Sequence, residues 1–306
     1  MLKTQNKLYK KVNITYNNFG DKMKNFEGVY YRINKNNINI AVIAGVNNSI
    51  KDPHSFIQVI DNITLESKYY RFAINEYIKK EKFFKVGENT FGKDFLELRL
   101  DEYKGKIKFK DLEKLEESSV MGCFKNLKIM PCNHYIFFLR GNTEGKLIIK
   151  EKEINFNNGV GYMEGDAGSL FPSKYIWIQS NIGSRVEEKS VITGAFAKVL
   201  GKIFFYLIFN IDGKMYRLAT YDLGRIEKLY KDGEKIHILI MQKNIGISLE
   251  ISKGEEEYEL KYPKKGFMVD GVKETLNGKI KFRMYAEGKI IYDEEFTECA
   301  IEEKFT

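Results

Sequence analysis

The sequence contains few of the residues that stabilise a fold through covalent or metal links. Its 306 residues include three cysteines, three histidines, four prolines and one tryptophan. Cys123, Cys132 and Cys299 form no Cys-x-x-Cys pair, and with so few histidines a structural zinc site is not expected. We therefore expect no metal ion, thiols that stay reduced, and a cytoplasmic protein.

Long apolar runs are also absent from the sequence. The most apolar stretch, Ile203 to Phe209, is far too short to cross a bilayer. The opening residues, MLKTQNKLYKKVNITYNN, lack the apolar core of a secretory signal peptide. Neither observation indicates a membrane-spanning or secreted protein.

Basic residues exceed acidic ones, but no basic run stands out. The chain has 50 Lys and Arg against 42 Asp and Glu, which gives a formal net charge of +8. The charges are spread along the sequence and are not interleaved with aromatic residues, so we expect no nucleic-acid binding. A basic surface leaves open a peripheral contact with anionic membranes.

Alternation of apolar and polar residues predicts strands along most of the chain. Leu96, Leu98 and Leu100 alternate with charged residues, a turn is predicted at Tyr103–Gly105, and the alternation then resumes. This period of two places one face of a strand on a core and the other in water. Ile203 to Ile211 is almost uniformly apolar, so we expect both faces of that strand to be covered.

Turn signals separate these strands. Asp-Gly or Asn-Gly dipeptides, which favour tight hairpins, occur at 212–213, 232–233 and 277–278, and Glu-Gly-Lys at 144–146 and 287–289 predicts the same kind of turn.

Helix signals are few. Short helices are predicted only at 111–118 and 75–82. Many short strands with regular turns predict an all-β fold. At this length, two β-barrel or sandwich units packed together fit better than one.

Five segments, in order along the chain, carry a family resemblance. The central one is GVGYMEGDAGSLFPSKYIWIQSN (159–181). The others are FEGVYYRI (26–33), PHSFIQVID (53–61), MGCFKNLKIMPCNHY (121–135) and GKMYRLATYDLGRIE (213–227). Together they resemble the tocopherol cyclase-like family.

The resemblance implies a fold and an activity. The fold is a pair of lipocalin-like units, related to carotenoid hydratases and some pericyclic cyclases. We expect the first unit over residues 1–184, with the acidic motif, and the second over 185–306. Plant and cyanobacterial members close a chroman ring on a prenylated hydroquinone and need no metal or redox cofactor. The resemblance therefore implies an apolar small-molecule substrate and no cofactor.

Ring closure of this kind begins when an acid protonates an alkene, and an oxygen then captures the cation. The acid must stay protonated in a dry apolar pocket, where burial raises the pKa of a carboxyl group. Asp166 matches the acidic position of the family motif and is the predicted proton donor. Glu164 shares its strand face, so that one carboxyl can stay protonated while the other is ionised. Tyr162 is predicted to orient the donor, and His54 or His134 to accept the phenol proton.

Two positions depart from the family pattern. Where the family has tryptophan, this chain has Val29 and Ala167, whereas Trp177 is kept. If both positions faced one cavity, that cavity would be enlarged and would lack two aromatic faces. The other predicted ligand contacts are Tyr31, Gln58, Trp177, Gln179 and Asn181.

The sequence leaves two classes of function open. The first is a cofactor-free cyclase, isomerase or hydratase that acts on a prenylated or otherwise apolar molecule. The second is a carrier that binds a lipid or pigment without reacting. In a carrier, Asp166 would be a turn residue bonded to its own backbone, and His134 a hydrogen-bonded wall histidine. The substrate and the oligomeric state stay open.

Overall fold

A computed structural model describes residues 25–126, 131–185, 189–211 and 213–305 of the chain. Nearly all of this structure consists of two curled antiparallel sheets. Its helices are three short 3-10 segments, at Ile74–Glu76, Gly122–Asn126 and Thr220–Asp222. None of the helices in these ranges is long and apolar enough to cross a membrane.

The first sheet contains twelve strands. They are β1 (Phe26–Lys35), β2 (Ile38–Asn47), β3 (His54–Asp61), β4 (Glu66–Phe72), β5 (Tyr77–Lys79), β6 (Phe83–Val86), β7 (Asn89–Gly92), β8 (Phe95–Arg99), β9 (Tyr103–Glu113), β10 (Cys132–Ile149), β11 (Lys152–Asn155) and β12 (Gly159–Gly168). Their order is β4-β3-β2-β1-β12-β10-β9-β8-β7-β6-β5, with β11 beside β10. β12 is the last strand of this sheet along the chain, yet it lies in the middle of the sheet, between β1 and β10.

The second sheet contains eleven strands. They are β13 (Tyr175–Ser180), β14 (Ile182–Gly183), β15 (Ile192–Val199), β16 (Lys202–Ile211), β17 (Lys214–Ala219), β18 (Arg225–Asp232), β19 (Lys235–Gln242), β20 (Ile245–Ser252), β21 (Tyr258–Lys264), β22 (Phe267–Ala286) and β23 (Lys289–Lys304). Their order is β17-β16-β15-β13-β23-β22-β20-β19-β18, with β14 beside β23 and β21 beside β22.

The predicted boundary between the two units differs from the sheet boundary. The first sheet ends at Gly168, and β13 pairs with β15 and β23 of the second sheet. Residues 175–184, which we assigned to the first unit, therefore belong to the second sheet. Trp177 and the acidic motif, although close in sequence, come from different sheets.

Apolar side chains form three clusters. One lies on one face of the first sheet and includes Tyr31 and Met163. A second lies on the corresponding face of the second sheet and includes Phe282. The third combines residues of both sheets, among them Tyr30 and Trp177. Successive residues of a strand point to opposite faces. Each central strand therefore directs one face to the core of its own sheet and the other face to the space between the sheets.

The predicted all-β architecture with few short helices is confirmed. The strand predicted at Ile203–Ile211 corresponds to β16, and both of its faces are buried: Leu207 lies in the second core, and Ile208 lies between the sheets. The turns at 232–233 and 287–289 separate β18 from β19 and β22 from β23. Asp212 of another predicted turn lies outside the described residues.

Two predicted turns are wrong because glycine serves a different purpose there. Gly145 lies inside β10 with φ of 125°, and its neighbour across the sheet is Ile107. Gly278 lies inside β22, between two register shifts against β23. Both sites are irregularities within long strands, where a glycine allows the backbone to bend.

Both predicted helices are also wrong. The first begins within β9, which extends to Glu113 opposite Arg140 of β10. The second gives only the short segment Ile74–Glu76, followed by β5. In both places strand pairing with neighbours outweighs local helix propensity, which is worth less than about 1 kcal/mol per residue.

Candidate active site

The acidic motif lies on β12, and alternate residues of this strand have different environments. Met163 packs into the core of the first sheet, whereas Tyr162 lies among the residues between the sheets. Glu164 and Asp166 follow Tyr162 at intervals of two, and both line a cavity on that side. The shared face predicted for the two carboxyls is therefore present, and it is directed toward the second sheet.

His134 is the direct neighbour of Asp166 on β10. Its Nδ1 lies 3.0 Å from Asp166 Oδ1. The same oxygen accepts a hydrogen bond from the Cys132 thiol, with Sγ at 3.2 Å. On the other side of Asp166, the neighbouring residue of β1 is Gly28, which has no side chain to cover the carboxyl from the cavity.

Glu164 accepts hydrogen bonds from several donors at one oxygen. Oε2 lies 2.6 Å from the Tyr162 hydroxyl and 3.1 Å from Trp177 Nε1. His134 Nε2 lies 3.2 Å from the same atom. Glu164 is 5% exposed, and donors of this kind stabilise a buried carboxylate.

The two carboxyls determine the charge of His134. Burial by itself would lower the pKa of its imidazole, but the nearby carboxylates of Asp166 and Glu164 reverse this effect and raise the pKa well above its ordinary value. The Tyr206 hydroxyl lies 2.8 Å from Nε2, and its ring stacks on the imidazole. The raised pKa favours the imidazolium form of His134, which lies between Asp166 and Glu164.

The cavity beside this group has a volume of about 210 Å³ and lies between the two sheets. Most of its wall is apolar. Aromatic residues from both sheets contribute to it, including Tyr30, Phe56, Trp177, Phe205, Tyr206 and Tyr262. Its acidic and basic groups include His134, Glu164, Asp166 and Glu302.

Glu302 is a cavity residue that sequence reasoning missed. It lies on β23 of the second sheet, beside Trp177 of β13 and beside Glu274 of β22. The Tyr175 hydroxyl donates to Glu302 Oε2 at 2.6 Å, and the Tyr30 hydroxyl donates to Glu274 Oε1 at 2.6 Å. The segment FTECAIEEK contains the alternation of a strand, but nothing in it indicates which glutamate faces a cavity.

Val29 and Ala167 do not line this cavity. Val29 is 5% exposed and packs in the core of the first sheet, and its neighbour across β12 is Gly165. Ala167 is 1% exposed and follows Asp166, so it projects to the opposite face of β12. The condition under which these two positions would enlarge the cavity and remove aromatic faces from it is therefore not met.

Three other predicted residues lie apart from the cavity wall. Tyr31 belongs to the first core and donates to the Gly92 carbonyl at 2.7 Å. His54 Nε2 lies 2.7 Å from the Tyr69 hydroxyl, and burial lowers the pKa of its imidazole. Gln58 Oε1 accepts from the backbone N–H of Lys261 at 3.2 Å, a contact between the sheets. Of the two histidines predicted as bases, only His134 is placed beside Asp166.

Gln179 and Asn181 belong to a buried polar network between the sheets. Arg32, which is fully buried, donates to Gln179 Oε1 at 2.7 Å and also to the Glu298 carbonyl. Gln179 Nε2 donates to Asn181 Oδ1, and Asn181 Nδ2 donates to the Leu139 carbonyl. These residues hold the two sheets together and do not line the cavity.

His134, Glu164 and Asp166 are also the only group of potential metal ligands found among the described residues, with ligand atoms within 4.8 Å of one another. Both ring nitrogens of His134 already face hydrogen-bond partners, and Glu164 Oε2 accepts from Tyr162 and Trp177. A metal ion would have to replace these bonds. The donor set fits a proton-sharing network better than a metal site, and the expected absence of a metal stays a prediction.

The sequence profile of the tocopherol cyclase-like family matches residues 102–303, which is more than half of the chain. The chain belongs to the tocopherol cyclase-like family. The match includes the acidic motif, His134 and Glu302. A comparison with curated protein sequences gives no significant match.

Solved structures of the same fold are distant in sequence. CghA is 9% identical, with 95% of this chain and 91% of CghA covered and a TM-score of 0.58. An AttH-like protein of Nitrosomonas europaea is 8% identical, with 94% of each chain covered and a TM-score of 0.56. CghA solved with Sch210972 gives 8% identity, 92% and 89% coverage, and a TM-score of 0.54. These likenesses extend over both sheets and support the lipocalin-like fold.

Proposed function

We propose that this family member is an enzyme that cyclises an apolar small molecule by protonating an alkene, without a metal or redox cofactor. One observation carries the proposal: His134 lies between two carboxylates in the wall of an aromatic cavity. This arrangement stores a proton beside an apolar binding site. General acid help of this kind is typically worth ~10²–10⁴ in rate.

Asp166 is the group in this arrangement that contacts the ligand. Its Oδ1 shares the proton of His134 Nδ1, and its side chain lines the cavity. Among the described residues, Oδ2 has no hydrogen-bond partner, so it is available to a ligand. In the resting site His134 holds the proton. The proton moves from Nδ1 to Asp166, and the O–H bond of the carboxylic acid so formed breaks as the alkene takes the proton, which leaves a carboxylate beside a neutral imidazole. Glu164 is a positioning residue, since it stabilises the imidazolium from the other side.

The reaction is an isomerisation in which all atoms are conserved. An alkene carbon takes the proton, and its neighbour becomes a tertiary cation. A hydroxyl oxygen of the same molecule then forms a bond to the cation and releases its own proton. The rings of Tyr30, Trp177 and Tyr206 line the cavity, and aromatic faces stabilise a nearby cation by roughly 0.5–2 kcal/mol each.

The proposal is tested by screening prenylated hydroquinones and phenols for an isomer of unchanged mass and altered chromatographic retention. Asp166→Asn keeps the shape of the side chain but cannot donate a carboxyl proton, so turnover should fall ~10²–10⁴-fold. Asp293→Asn is the matched control, because Asp293 is half exposed and paired with Arg283 on the surface. Undiminished turnover by Asp166→Asn would overturn the assignment.

The second candidate function is a carrier of a lipid or pigment, and the apolar cavity wall favours it equally. The two are separated by mass spectrometry of material that co-purifies with the protein under native conditions. A ligand recovered unchanged after long incubation supports carriage, whereas time-dependent conversion supports catalysis. For a carrier, Asp166→Asn should leave the affinity nearly unchanged.

We also propose that the protein collects its ligand at anionic membrane surfaces from the cytoplasm. Ile50 is 96% exposed and Phe267 is 44% exposed. Lys51 Nζ lies 5.9 Å from the Phe267 ring centroid and donates to the Lys265 carbonyl. The next residue, Met268, lines the cavity. Exposed apolar side chains among lysines at the edge of a cavity suit contact with an anionic bilayer. The exposed thiol of Cys123 suits a reducing compartment such as the cytoplasm.

A further inference from the structure

We propose that the carboxyl pair Glu302 and Glu274 is the proton acceptor of the cavity. Glu302 takes the proton that the ligand hydroxyl releases when its oxygen forms the new bond. This inference rests on the acid-catalysed reaction proposed above and adds the group that completes it. It also narrows the ligand to an apolar molecule with an alkene near Asp166 and a hydroxyl group near Glu302.

The positions of the pair follow from strand register. Glu302 is directly opposite Glu274 on one side and Trp177 on the other. Directly opposite residues project to the same face of an antiparallel sheet. Trp177 lies in the cluster between the sheets, and Glu302 lines the cavity. Glu302 therefore lies in the second sheet's wall, across the cavity from Asp166 in the first sheet's wall, and Glu274 is buried beside Glu302.

One buried oxygen of Glu274 has no partner among the described residues. Glu274 is fully buried, its Oε1 accepts from Tyr30, and its Oε2 is buried with no hydrogen-bond partner in the part of the chain that the structure describes. An unpartnered buried carboxylate oxygen is costly, and two carboxylates directly opposite each other repel. Both costs fall when the pair holds one proton, which lets one carboxyl donate to the other.

The surroundings favour this protonated state. Burial, followed by the neighbouring Glu302, raises the pKa of Glu274 well above its ordinary value. Burial also raises the pKa of Glu302. The hydrogen bond from Tyr175 lowers this pKa, whereas the charges of Glu164 and Asp166 raise it further, and the result is a pKa of about 7. Burial thus favours the protonated form of Glu274, and Glu302, with a pKa of about 7, is available as a base at neutral pH.

The two proton sites are coupled across the cavity. The positive charge of His134 lowers the pKa of Glu302. When the donor site loses its proton to the ligand, that charge disappears and the pKa of Glu302 rises. The acceptor therefore becomes a stronger base at the step that needs one. The charged and titratable groups around the pair are Arg32, Tyr30, His134, Glu164, Asp166, Tyr175 and Tyr258.

The proton balance of the step is simple. The ligand O–H bond breaks as the C–O bond forms, and the proton moves to a Glu302 carboxylate oxygen. The donor site has lost one proton and the acceptor site has gained one. After product leaves, the proton returns to His134 through water in the open cavity, and no other reactant is consumed.

Infrared titration with ¹³C-carboxyl-labelled glutamate tests the acceptor without a ligand, since its only probe is the solvent proton. The wild type should show a protonated-carboxyl band with a midpoint near pH 7. Glu302→Gln should remove this band. Glu294→Gln is the matched control, because Glu294 is also buried on β23 and accepts from a tyrosine, Tyr292, at 2.5 Å, but it does not line the cavity.

Two further variants keep the test decisive if Glu302→Gln does not fold. His134→Gln removes the positive charge, and Tyr175→Phe removes the hydrogen bond that stabilises the ionised form. Both should shift the midpoint upward. An unmoved or lower midpoint in His134→Gln would overturn the proposed coupling. A band that still titrates near pH 7 in Glu302→Gln would overturn the assignment of the group.

Turnover separates this inference from the proposed function. With any substrate that the isomer screen identifies, Glu302→Gln should lower kcat at least tenfold while KM changes little. Wild-type kcat in Glu302→Gln together with an inactive Asp166→Asn would reject the acceptor and retain the donor. Full activity of Asp166→Asn would instead reject the donor, whatever the infrared titration shows.

Discussion

Asp166 and His134 are direct neighbours on adjacent strands, and Asp166 Oδ1 lies 3.0 Å from His134 Nδ1. This pairing changes the meaning of the acidic motif. The proton that the proposed donor site supplies is held by the imidazolium beside Asp166. The acid of this site is then a pair of side chains on two strands, only one of which lies in the motif.

The first prediction concerns the pH dependence of turnover. The pKa of His134 is raised, so the imidazolium is present at neutral pH and is lost only as pH rises through that raised value. Turnover should fall on the alkaline side as His134 loses its proton. Glu164→Gln removes one of the two carboxylates that raise the pKa of His134, and should move the alkaline limb to lower pH. The measurement is kcat against pH for both proteins, and an unmoved limb would contradict the prediction.

The second prediction concerns stability against pH. The pKa of Glu302 is about 7 in the fold and 4.5 in a model peptide. A group with a raised pKa binds protons more tightly when folded, so its stabilising contribution is complete below about pH 4.5 and is lost as pH rises toward 7. The free energy of unfolding of Glu302→Gln, relative to wild type, should therefore increase between about pH 5 and about pH 8. Urea unfolding across this range measures it, and a difference that stays constant with pH would contradict the prediction.

The third prediction separates the two faces of the first sheet. Val29→Trp restores the family tryptophan, but Val29 lies in a packed core. The variant should lose about 1–3 kcal/mol of unfolding free energy through overpacking, with ligand binding retained if the protein folds. Ala195→Trp places the same ring in the cavity wall and should block binding at little cost in stability. The reverse pattern would show that Val29 faces the ligand.

The fourth prediction concerns membrane contact. Wild type should bind vesicles that contain phosphatidylserine better than vesicles of phosphatidylcholine alone, and binding should weaken with salt. Lys51→Glu combined with Phe267→Ser should reduce binding. Ile290→Ser combined with Ile291→Ser is the matched control, because both isoleucines are 54% exposed on another hairpin. Equal losses in the two double variants would contradict a specific surface.

Local sequence patterns predicted the strands and their faces more successfully than the arrangement of the site. Alternation and apolar runs identified β8, β9 and β16, because the apolar or polar character of consecutive residues indicates whether one or both faces of a strand are buried. The helix predictions failed where β9 pairs with β10, which is distant in sequence, and where β5 forms a hairpin with β6. β12 pairs with β10 and also with β1, the first strand of the sheet. No local sequence pattern indicates this strand order.

Only part of the site could be predicted, because the sequence shows which residues share a face of one strand but not how distant strands pair. The shared face of Glu164 and Asp166 followed from their spacing on one strand. The opposite placements of His54 and His134, and the arrival of Glu302 from the last strand, depend on register between strands far apart in sequence. Val29 and Ala167 were misassigned because a family motif shows which positions matter but not which side of the sheet they face.

The alternation along β12 also has an evolutionary consequence. Met163 and Ala167 face away from the cavity, while Glu164 and Asp166 face the ligand. Substitutions on one set alter how the barrel is filled, and substitutions on the other alter its chemistry. A bulky ring can therefore be gained or lost in the first set without any change in the groups that face the cavity, so the size of the residue at 167 says little about the chemistry at 166.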